Sequence, residues 1–271
     1  MRINLNAMKS TTLVQCCVRN FPWFLQTVPL ARFAVRLGLL CVVAGGTALA
    51  QKKDWTEPPI VEPQYDGKPV PAPEGSVVLF GSQDVSDWKR LPRNGDTNQS
   101  DHFCWKIADG YMEVAPFSGY IGTKDQPISS GHLHLEWATP AEVKGTGQGR
   151  GNSGVFIEGF PELQVLDSYN NRTYFDGQAA AFYKHRPPLV NASRGPGLWQ
   201  CYDIHIQRAT VVNGKVTKPA IITVYHNNVL VQDHLEFANP IQSGTLRLQD
   251  HHNPVRFRNI WFLPSPSTAN H

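Results

Sequence analysis

A carboxylate and an amide share one face of a short strand-like run in the middle of the chain. Glu162 and Gln164 alternate there with Leu163 and Val165. A half-solvated antiparallel strand alternates apolar and polar residues, but glutamate is depleted in strands unless its side chain has a role. A carboxylate fixed on such a face can transfer protons as a general acid or base. We therefore expect this strand to contact a ligand.

Other predicted strands show the same polar alternation. His134 and Glu136 lie on one face of a strand, Gln249 and His251 lie on one face of another, and a third polar strand begins near Trp199. Each face taken singly is typical of an ordinary solvated sheet. Three such faces in one chain favour a shared groove, and this groove is the candidate site.

Glu162 and His251 are the candidate catalytic residues, because histidine titrates near neutral pH and a carboxylate can act as its partner in proton transfer. Arg150 and Asn152 lie in a glycine-rich turn that lacks the lysine and the helix start of a phosphate loop, which argues against nucleotide binding. They are interpreted instead as binders of hydroxyl or carbonyl groups. The alternative is a tight turn with solvated side chains.

A divalent metal ion is a second hypothesis for this site. His134 and Glu136 are two residues apart on one strand face, and Glu162 could complete the ligand set. The alternative for this pair is a structural or surface contact. Trp199 either offers an apolar ring face to a sugar or belongs to the core.

The elements that position these residues are predicted to be strands. Short runs rich in β-branched and aromatic residues recur between Gly, Pro, Asn and Asp clusters, and no helical stripe of useful length is present. Asn227-Asn228 predicts a tight hairpin, because asparagine tolerates the left-handed conformation. The pattern indicates an all-β, two-sheet antiparallel jelly-roll sandwich. The predicted strands are Val77–Phe80, Trp105–Ile107, Tyr111–Val114, His132–Thr139, Gly154–Ile157, Glu162–Asp167, Ala179–Phe182, Gln200–Arg208, Ala220–His226, Val229–Asp233, Thr245–His251 and Val255–Leu263.

The first 50 residues are predicted to be a signal peptide. They contain no acidic residue, basic residues precede an apolar run from Leu37 to Val43, and small residues precede a cleavage point after Ala50. A permanent anchor is the alternative, but the apolar run is shorter than the roughly 20 residues of a membrane-spanning helix. We therefore expect an exported, periplasmic or extracellular protein without stable membrane insertion.

Removal of this leader changes the charge of the chain. The leader carries five of the 25 basic residues, so the mature protein has 20 basic and 22 acidic residues and a net charge of −2. No cluster of basic residues with interleaved aromatics remains, which argues against nucleic-acid binding. Cys104 and Cys201 are the two cysteines left, and they could pair, although a domain of this size folds without a disulfide.

Residues 51–74 form a proline-rich linker or arm, residues 75–265 the folded domain, and residues 266–271 a C-terminal tail. The domain resembles the 3-keto-disaccharide hydrolase family, formerly domain of unknown function 1080, whose fold is that of concanavalin-A-like lectins and glucanases. The matching stretches are LFGSQDVSDWK (79–89), WKIADGYMEV (105–114), HLHLEWATP (132–140), GRGNSGVFIEGFPELQVLDSY (149–169), NASRGPGLWQCYDI (191–204) and GTLRLQDHHNPVRFRNIWFLP (244–264). One departure is His252, where the family pattern commonly has a glycine.

This resemblance implies cleavage of glycosides already oxidised to a ketone at C3, with a sugar 3-oxidoreductase as the neighbouring activity and an oxidised glycoside or disaccharide as the partner molecule. Glu162 and His251 would transfer protons. Gln164, Asp167, Gln249 and the turn residues named above would bind substrate.

The sequence leaves two alternatives to this activity open: an ordinary glucanase-type glycoside hydrolase, and a non-catalytic carbohydrate-binding module. A glucanase typically has Glu-x-Asp-x-x-Glu on one strand, whereas Gln164 stands here at the position of the middle acid. No serine-histidine-acid order or zinc-finger cysteine spacing is present, which argues against a serine hydrolase and a structural zinc site.

Overall fold

The computed structural model describes residues 54–92 and 97–266, and the predicted leader lies outside this range. Fifteen strands and two short 3₁₀ turns, at Gly147–Gly149 and Phe175–Gly177, make up the described chain. The strands are β1 (Val77–Phe80), β2 (Trp88–Leu91), β3 (Lys106–Ala108), β4 (Tyr111–Glu113), β5 (Tyr120–Thr123), β6 (Gly131–Ala138), β7 (Ser153–Ile157), β8 (Leu163–Val165), β9 (Gln200–Gln207), β10 (Thr210–Val212), β11 (Lys215–Lys218), β12 (Ala220–His226), β13 (Val229–Phe237), β14 (Leu246–Leu248) and β15 (Arg256–Pro264).

These strands form two main antiparallel sheets. The large sheet has the order β13-β12-β9-β6-β15-β4-β3, and β1 also pairs with β15. The small sheet has the order β2-β5-β14-β7-β8, and β10 and β11 form a separate hairpin. The all-β sandwich predicted from the sequence is confirmed. In the described chain no helix is long and apolar enough to span a membrane.

The hydrophobic core lies between the two sheets. Leu133 and Leu135 of the large sheet and Leu163, Val165 and Leu248 of the small sheet are all buried in one cluster. Because side chains alternate along a strand, the polar residues between them project away from the core. The sandwich therefore has two separate polar outer surfaces, which we call the large-sheet face (around His134 and Glu136) and the small-sheet face (around Glu162 and Gln164).

The proline-rich arm packs on the large-sheet face. The Val70 N–H donates to Glu136 Oε1 at 2.9 Å, and the Val70 carbonyl accepts from Asn259 Nδ2 at 2.8 Å and from the Trp261 indole at 3.3 Å. Tyr65 of the arm is buried, with 5% of its surface exposed. These contacts make the arm a third layer over the middle of the large sheet.

Several local predictions are confirmed by the structure. Val77–Phe80 and Ala220–His226 are strands with the predicted bounds. Asn227 and Asn228 turn between β12 and β13 with φ of 52° and 63°, so both adopt the left-handed conformation that the hairpin requires. Cys104 and Cys201 are both free thiols rather than a disulfide.

The predicted strand Ala179–Phe182 is wrong. Ala180 has a φ of 64°, and its N–H bonds to the Gln164 carbonyl within an irregular loop that retains only two isolated bridges, both at Phe182. The loop follows β8 and packs its small alanines against the core, so their burial gives the apolar pattern of a strand without its geometry. Strands β2, β5, β10 and β11 are additional elements that the sequence reading missed.

Candidate active site

A cleft of about 100 Å³ opens on the small-sheet face. It lies at the end of the small sheet formed by β14, β7 and β8, together with the turn before β7 and the loop after β8. We call this site the cleft, and its seven lining residues are Gln148, Asn152, Glu162, Gln164, Tyr183, Gln249 and His251. Five of the predicted site residues therefore come together in one place.

Glu162 supplies the carboxylate of the cleft. Within the described chain its carboxylate has neither a hydrogen-bond donor nor a cation against it, and burial alone raises the pKa of Glu162 to about 7. Gly154 on the adjacent strand provides its space, since a Cβ at Gly154 would overlap Glu162 Oε1. The side chain is thus held in a desolvated position that favours proton transfer at neutral pH.

Three side-chain amides line the cleft. Asn152, Gln164 and Gln249 are 3%, 1% and 7% exposed, and no group in the described residues donates to their amide oxygens. A buried acceptor without a donor is costly, so these oxygens are suited to a ligand that brings hydrogen-bond donors.

The orientation of two of these amides, those of Asn152 and Gln164, is set by their nitrogens. Asn152 Nδ2 donates to the Gln148 carbonyl at 2.7 Å, and Gln164 Nε2 donates to Gln148 Oε1 at 2.9 Å. Gln148 Nε2 in turn donates to the Gly177 carbonyl at 2.7 Å and to Thr173 Oγ1 at 3.0 Å. Because a carbonyl oxygen can only accept, this chain of bonds fixes which end of each amide is nitrogen.

Gln148 and Tyr183 were missed in the sequence, although both line the cleft. Gln148 lies in the glycine-rich turn, of which only Arg150 and Asn152 were predicted as site residues. Tyr183 follows the wrongly predicted strand, and its hydroxyl is 2.6 Å from that of Tyr174. Burial raises the pKa of Tyr174, so its phenol stays protonated.

The Lys184 ammonium lies 3.3 Å from the centre of the Tyr174 ring, in a cation–π contact. Lys184 has a φ of 59°, which turns its backbone sharply at this point. The Lys184 ammonium and the Tyr174 ring therefore lie next to Tyr183, which lines the cleft.

His251 forms part of the opposite edge, in the loop that follows β14. Its side chain is exposed, and its ring centre is 6.0 Å from that of His252. His252 has a φ of 67°, a left-handed conformation that glycine adopts most readily, and its ring stacks on Phe117 at 4.1 Å. The departure from the family pattern at this position therefore keeps the glycine-like turn and adds an aromatic contact.

Arg150 and Asp167 line a neighbouring pocket of about 200 Å³ rather than the cleft. Arg150 Nε bonds to Asp167 Oδ2 at 2.7 Å, and Arg150 Nη2 bonds to the Tyr169 carbonyl at 3.0 Å. The pair is almost buried, with side chains 14% and 2% exposed. It braces the turn that carries Gln148 and Asn152, so the described contacts of Arg150 are structural.

The comparisons with known proteins show the family to which this chain belongs. A family described as a 3-keto-alpha-glucoside-1,2-lyase-like domain matches residues 75–263. The chain belongs to this 3-keto-disaccharide hydrolase family. The resemblance read from the sequence motifs is thereby confirmed, and the protein is a carbohydrate-active enzyme.

Two solved structures from Parabacteroides distasonis ATCC 8503, both of candidate glycosyl hydrolases, are similar to this family member. The first is 33% identical to this chain, with a TM-score of 0.64, and the aligned region covers 82% of this chain and 98% of the Parabacteroides chain. The second is 17% identical, with a TM-score of 0.54, and covers 71% of this chain and 94% of its own, which supports the fold alone. Curated protein sequences gave no match.

The metal pair predicted at His134 and Glu136 does not fit the structure of this family member. Both side chains are fully buried beneath the arm, on the large-sheet face, whereas Glu162 lies on the small-sheet face. Glu162 therefore cannot complete their ligand set. No group of three or more His, Cys, Asp or Glu side chains suited to a metal occurs among residues 54–92 and 97–266.

The side-chain atoms of His134 and Glu136 that could bind a metal are occupied by contacts within the protein. His134 Nδ1 is 2.8 Å from Asp203 Oδ1, and Arg258 Nε donates to Glu136 Oε2 at 2.6 Å. Burial lowers the pKa of His134, but the two carboxylates beside it raise the pKa overall. Burial raises the pKa of Glu136, but its hydrogen-bond donors lower it overall. The cluster is a buried ion network.

Trp199 also lies apart from the cleft. The Arg258 guanidinium is 4.0 Å from its ring centre, and the Tyr111 ring is 6.0 Å away, both on large-sheet strands. The prediction that three polar strands share one groove is therefore wrong. The alternation identified the outward residues, but strands β6 and β9 belong to the large sheet and β8 and β14 to the small sheet.

Proposed function

We propose that this enzyme cleaves 3-keto-glycosides by elimination followed by hydration, with Glu162 as the base. The observation that carries the proposal is the desolvated Glu162 carboxylate, whose pKa is about 7, in a cleft also lined by three buried amides whose oxygens have no donor among the described residues. A base with a pKa near the working pH combines an adequate ionised fraction with adequate proton affinity. The membership of the 3-keto-disaccharide hydrolase family supports the choice of substrate.

The chemistry requires modest catalytic power. A ketone at C3 acidifies the C2 proton, and the bond from C1 to the aglycone oxygen lies β to that carbonyl. Glu162 takes the C2 proton, the electron pair forms the C1–C2 double bond, and the C1–O bond breaks as the aglycone oxygen takes up a proton. Addition of water then places the hydroxyl on C1 and returns a proton to C2, which gives net hydrolysis.

The remaining cleft residues match the groups of such a sugar. The amide oxygens of Asn152, Gln164 and Gln249 accept hydrogen bonds from sugar hydroxyls, which are donors. The C3 oxygen is an acceptor, and its charge increases as C2 loses a proton, so it requires a donor. We assign this role to Tyr183 and the protonation of the leaving oxygen to His251, since both line the cleft.

A divalent cation would be held by Glu162, His251 and the amide oxygens, because an oxygen-rich set suits a hard ion. Bound there, it would polarise the C3 ketone.

An ordinary glucanase mechanism is less consistent with the cleft. Cleavage of an unoxidised glycoside canonically uses two carboxyl groups that flank the bond. Among the described residues that line the cleft, Glu162 alone carries a carboxylate, and the nearby Asp167 is paired with Arg150. The Gln164 amide occupies the place of a second acid.

One experiment separates these functions and the non-catalytic alternative. The purified protein is incubated with 4-nitrophenyl glucoside and with its 3-keto derivative, each with and without a chelator, while 4-nitrophenol release is followed. We expect release from the ketone alone. Release from the plain glucoside would support the glucanase, and binding without release would support a binding module. Loss of release with chelator, restored by added metal, would assign the cation to the reaction.

We further propose that the protein works outside the cytoplasm, beside an oxidoreductase that oxidises the C3 hydroxyl of glycosides. The acid-free leader with its Ala48-Leu49-Ala50 ending supports export. Fractionation of the native host with N-terminal sequencing tests this, with a mature chain that begins at Gln51 as the expected result. A full-length chain in the cytoplasm would overturn it.

A further inference from the structure

An aromatic and cationic surface adjoins the cleft on the small-sheet face. Val155 pairs with Leu163, so continuation of this register places Glu162 beside Phe156. Arg247 of β14 pairs with Phe156 on its other side. We call Tyr120, Phe156 and Arg247 the platform, which extends from Glu162 across the sheet.

The platform is continuous with the cleft through Tyr120. Gln249 Nε2 of the cleft donates to the Tyr120 hydroxyl at 3.1 Å, and the Tyr120 and Phe156 rings are 6.0 Å apart with 28° between their planes. A ligand that leaves the cleft along this direction therefore meets two nearly parallel aromatic rings. Contact with aromatic rings suits a planar apolar group.

Arg247 gives the platform its charge. Its guanidinium leans over Phe156, 5.5 Å from the ring centre, and thus toward the Glu162 side of the sheet. The side chain is exposed, and across the described residues no carboxylate is within ion-pair distance of it. Gly122 lies opposite Arg247 on β5, where a Cβ would approach Arg247 Cγ to 3.1 Å, so the backbone makes room for its stem.

We propose that the platform is the aglycone subsite and that Arg247 selects aromatic aglycones that carry a carboxylate. This inference rests on the proposed function. With the sugar ring against Glu162 and the amide oxygens, the aglycone extends over Phe156 and Tyr120. The guanidinium then forms a charge-assisted hydrogen bond with the aglycone carboxylate, which its planar donors fit.

Two matched substrates test the proposal: the 3-keto-glucosides of 4-hydroxybenzoate and of its neutral amide, 4-hydroxybenzamide. We expect Arg247→Gln to lower kcat/KM for the carboxylate substrate by about tenfold, as for the loss of one charge-assisted hydrogen bond. The same change should leave kcat/KM for the amide within about twofold, since the interaction is specific to charge. Comparison of the variant with the wild type on each substrate cancels the different reactivities of the two leaving groups.

Lys218→Gln is the control, since it removes one positive charge from the separate β10–β11 hairpin. It should affect neither substrate, whereas Phe156→Leu should raise KM for both. Equal losses on the two substrates with Arg247→Gln, or none on either, would overturn the subsite. Failure of the wild type to cleave the neutral substrate would instead contradict the proposed function, so the two failures are distinguishable.

Discussion

At the scale of single residues, the site depends on a carboxylate that has no counterion among the residues that the structure describes. Asp167 carries the same functional group as Glu162 and lies five residues further along the chain, but its salt bridge to Arg150 gives it a structural role. The Glu162 carboxylate instead occupies the space left by the missing side chain of Gly154, and burial is the cause of its raised pKa. The functional difference between two acids in one segment therefore comes from their surroundings.

The pH dependence of activity and stability should reflect this difference. Activity requires ionised Glu162, so kcat/KM is expected to rise through about pH 7. Stability should change in the opposite direction. The folded pKa lies above the unfolded value of 4.5, so the folded state binds more protons between these pH values and loses stability as pH rises through them. The loss is about 3 kcal/mol at most.

Urea unfolding from pH 4.5 to pH 8, alongside kcat/KM, measures both effects. Glu162→Gln should remove this part of the stability slope, and Glu236→Gln, an exposed acid on β13, is the matched control. An identical slope in the Glu162 variant would show that its pKa is ordinary in the folded protein.

At the scale of elements, two adjacent strands and one turn position the chemistry. β7 contributes the glycine that admits Glu162, and the turn before it contributes Gln148, which orients two amides. Ser153 Oγ on β7 donates to the Gln249 carbonyl at 2.6 Å, and the Gln249 N–H donates to the Gly154 carbonyl at 3.0 Å, so β7 also fixes the backbone of Gln249. Small changes in this pair of strands should therefore affect turnover more than stability.

Gly154→Ala is expected to displace the Glu162 carboxylate and to lower kcat by roughly tenfold to a hundredfold, within the contribution of a positioned base. The fold should persist, because the overlap falls on a side chain rather than on backbone. Kinetics and thermal melting measure both effects. Gly81→Ala is the control, where a Cβ meets only Val78 Cγ1 at 3.4 Å. Full activity of Gly154→Ala would contradict the close approach of Glu162.

The sequence predicted which segments form strands better than it predicted which strands lie side by side in a sheet. Alternation correctly assigned His134, Glu136, Glu162 and Gln164 to outward faces, because the period of a strand is local information. It could not show which sheet each strand joins, since strand pairing links residues far apart in the chain. The cleft residue Tyr183 was missed for the same reason, because an irregular loop brings it to Glu162.

At the scale of the whole molecule, the two outer faces serve different purposes. The arm covers the part of the large-sheet face that holds a buried network of His134, Glu136, Asp203 and Arg258, whereas the small-sheet face carries the cleft. The arm is therefore part of the folded unit, and its network should contribute to stability and not to turnover.

Glu136→Gln tests this division. Removal of one partner leaves the Arg258 charge poorly compensated, so we expect the free energy of unfolding to fall by roughly 2 to 4 kcal/mol. The folded fraction should keep the kcat/KM of the wild type, measured at a temperature well below unfolding. Loss of turnover in a protein that remains fully folded would contradict a purely structural role for Glu136.

The most direct test of the central claim is the rate of 4-nitrophenol release from a 3-keto-glucoside that carries hydrogen or deuterium at C2. Nitrophenolate leaves readily, so removal of the C2 proton should limit kcat/KM. We expect the deuterated substrate to react measurably more slowly, and Glu162→Gln to lower release at least about a hundredfold while the protein stays folded. Equal rates for the two substrates, with release retained in Glu162→Gln, would contradict proton abstraction by Glu162.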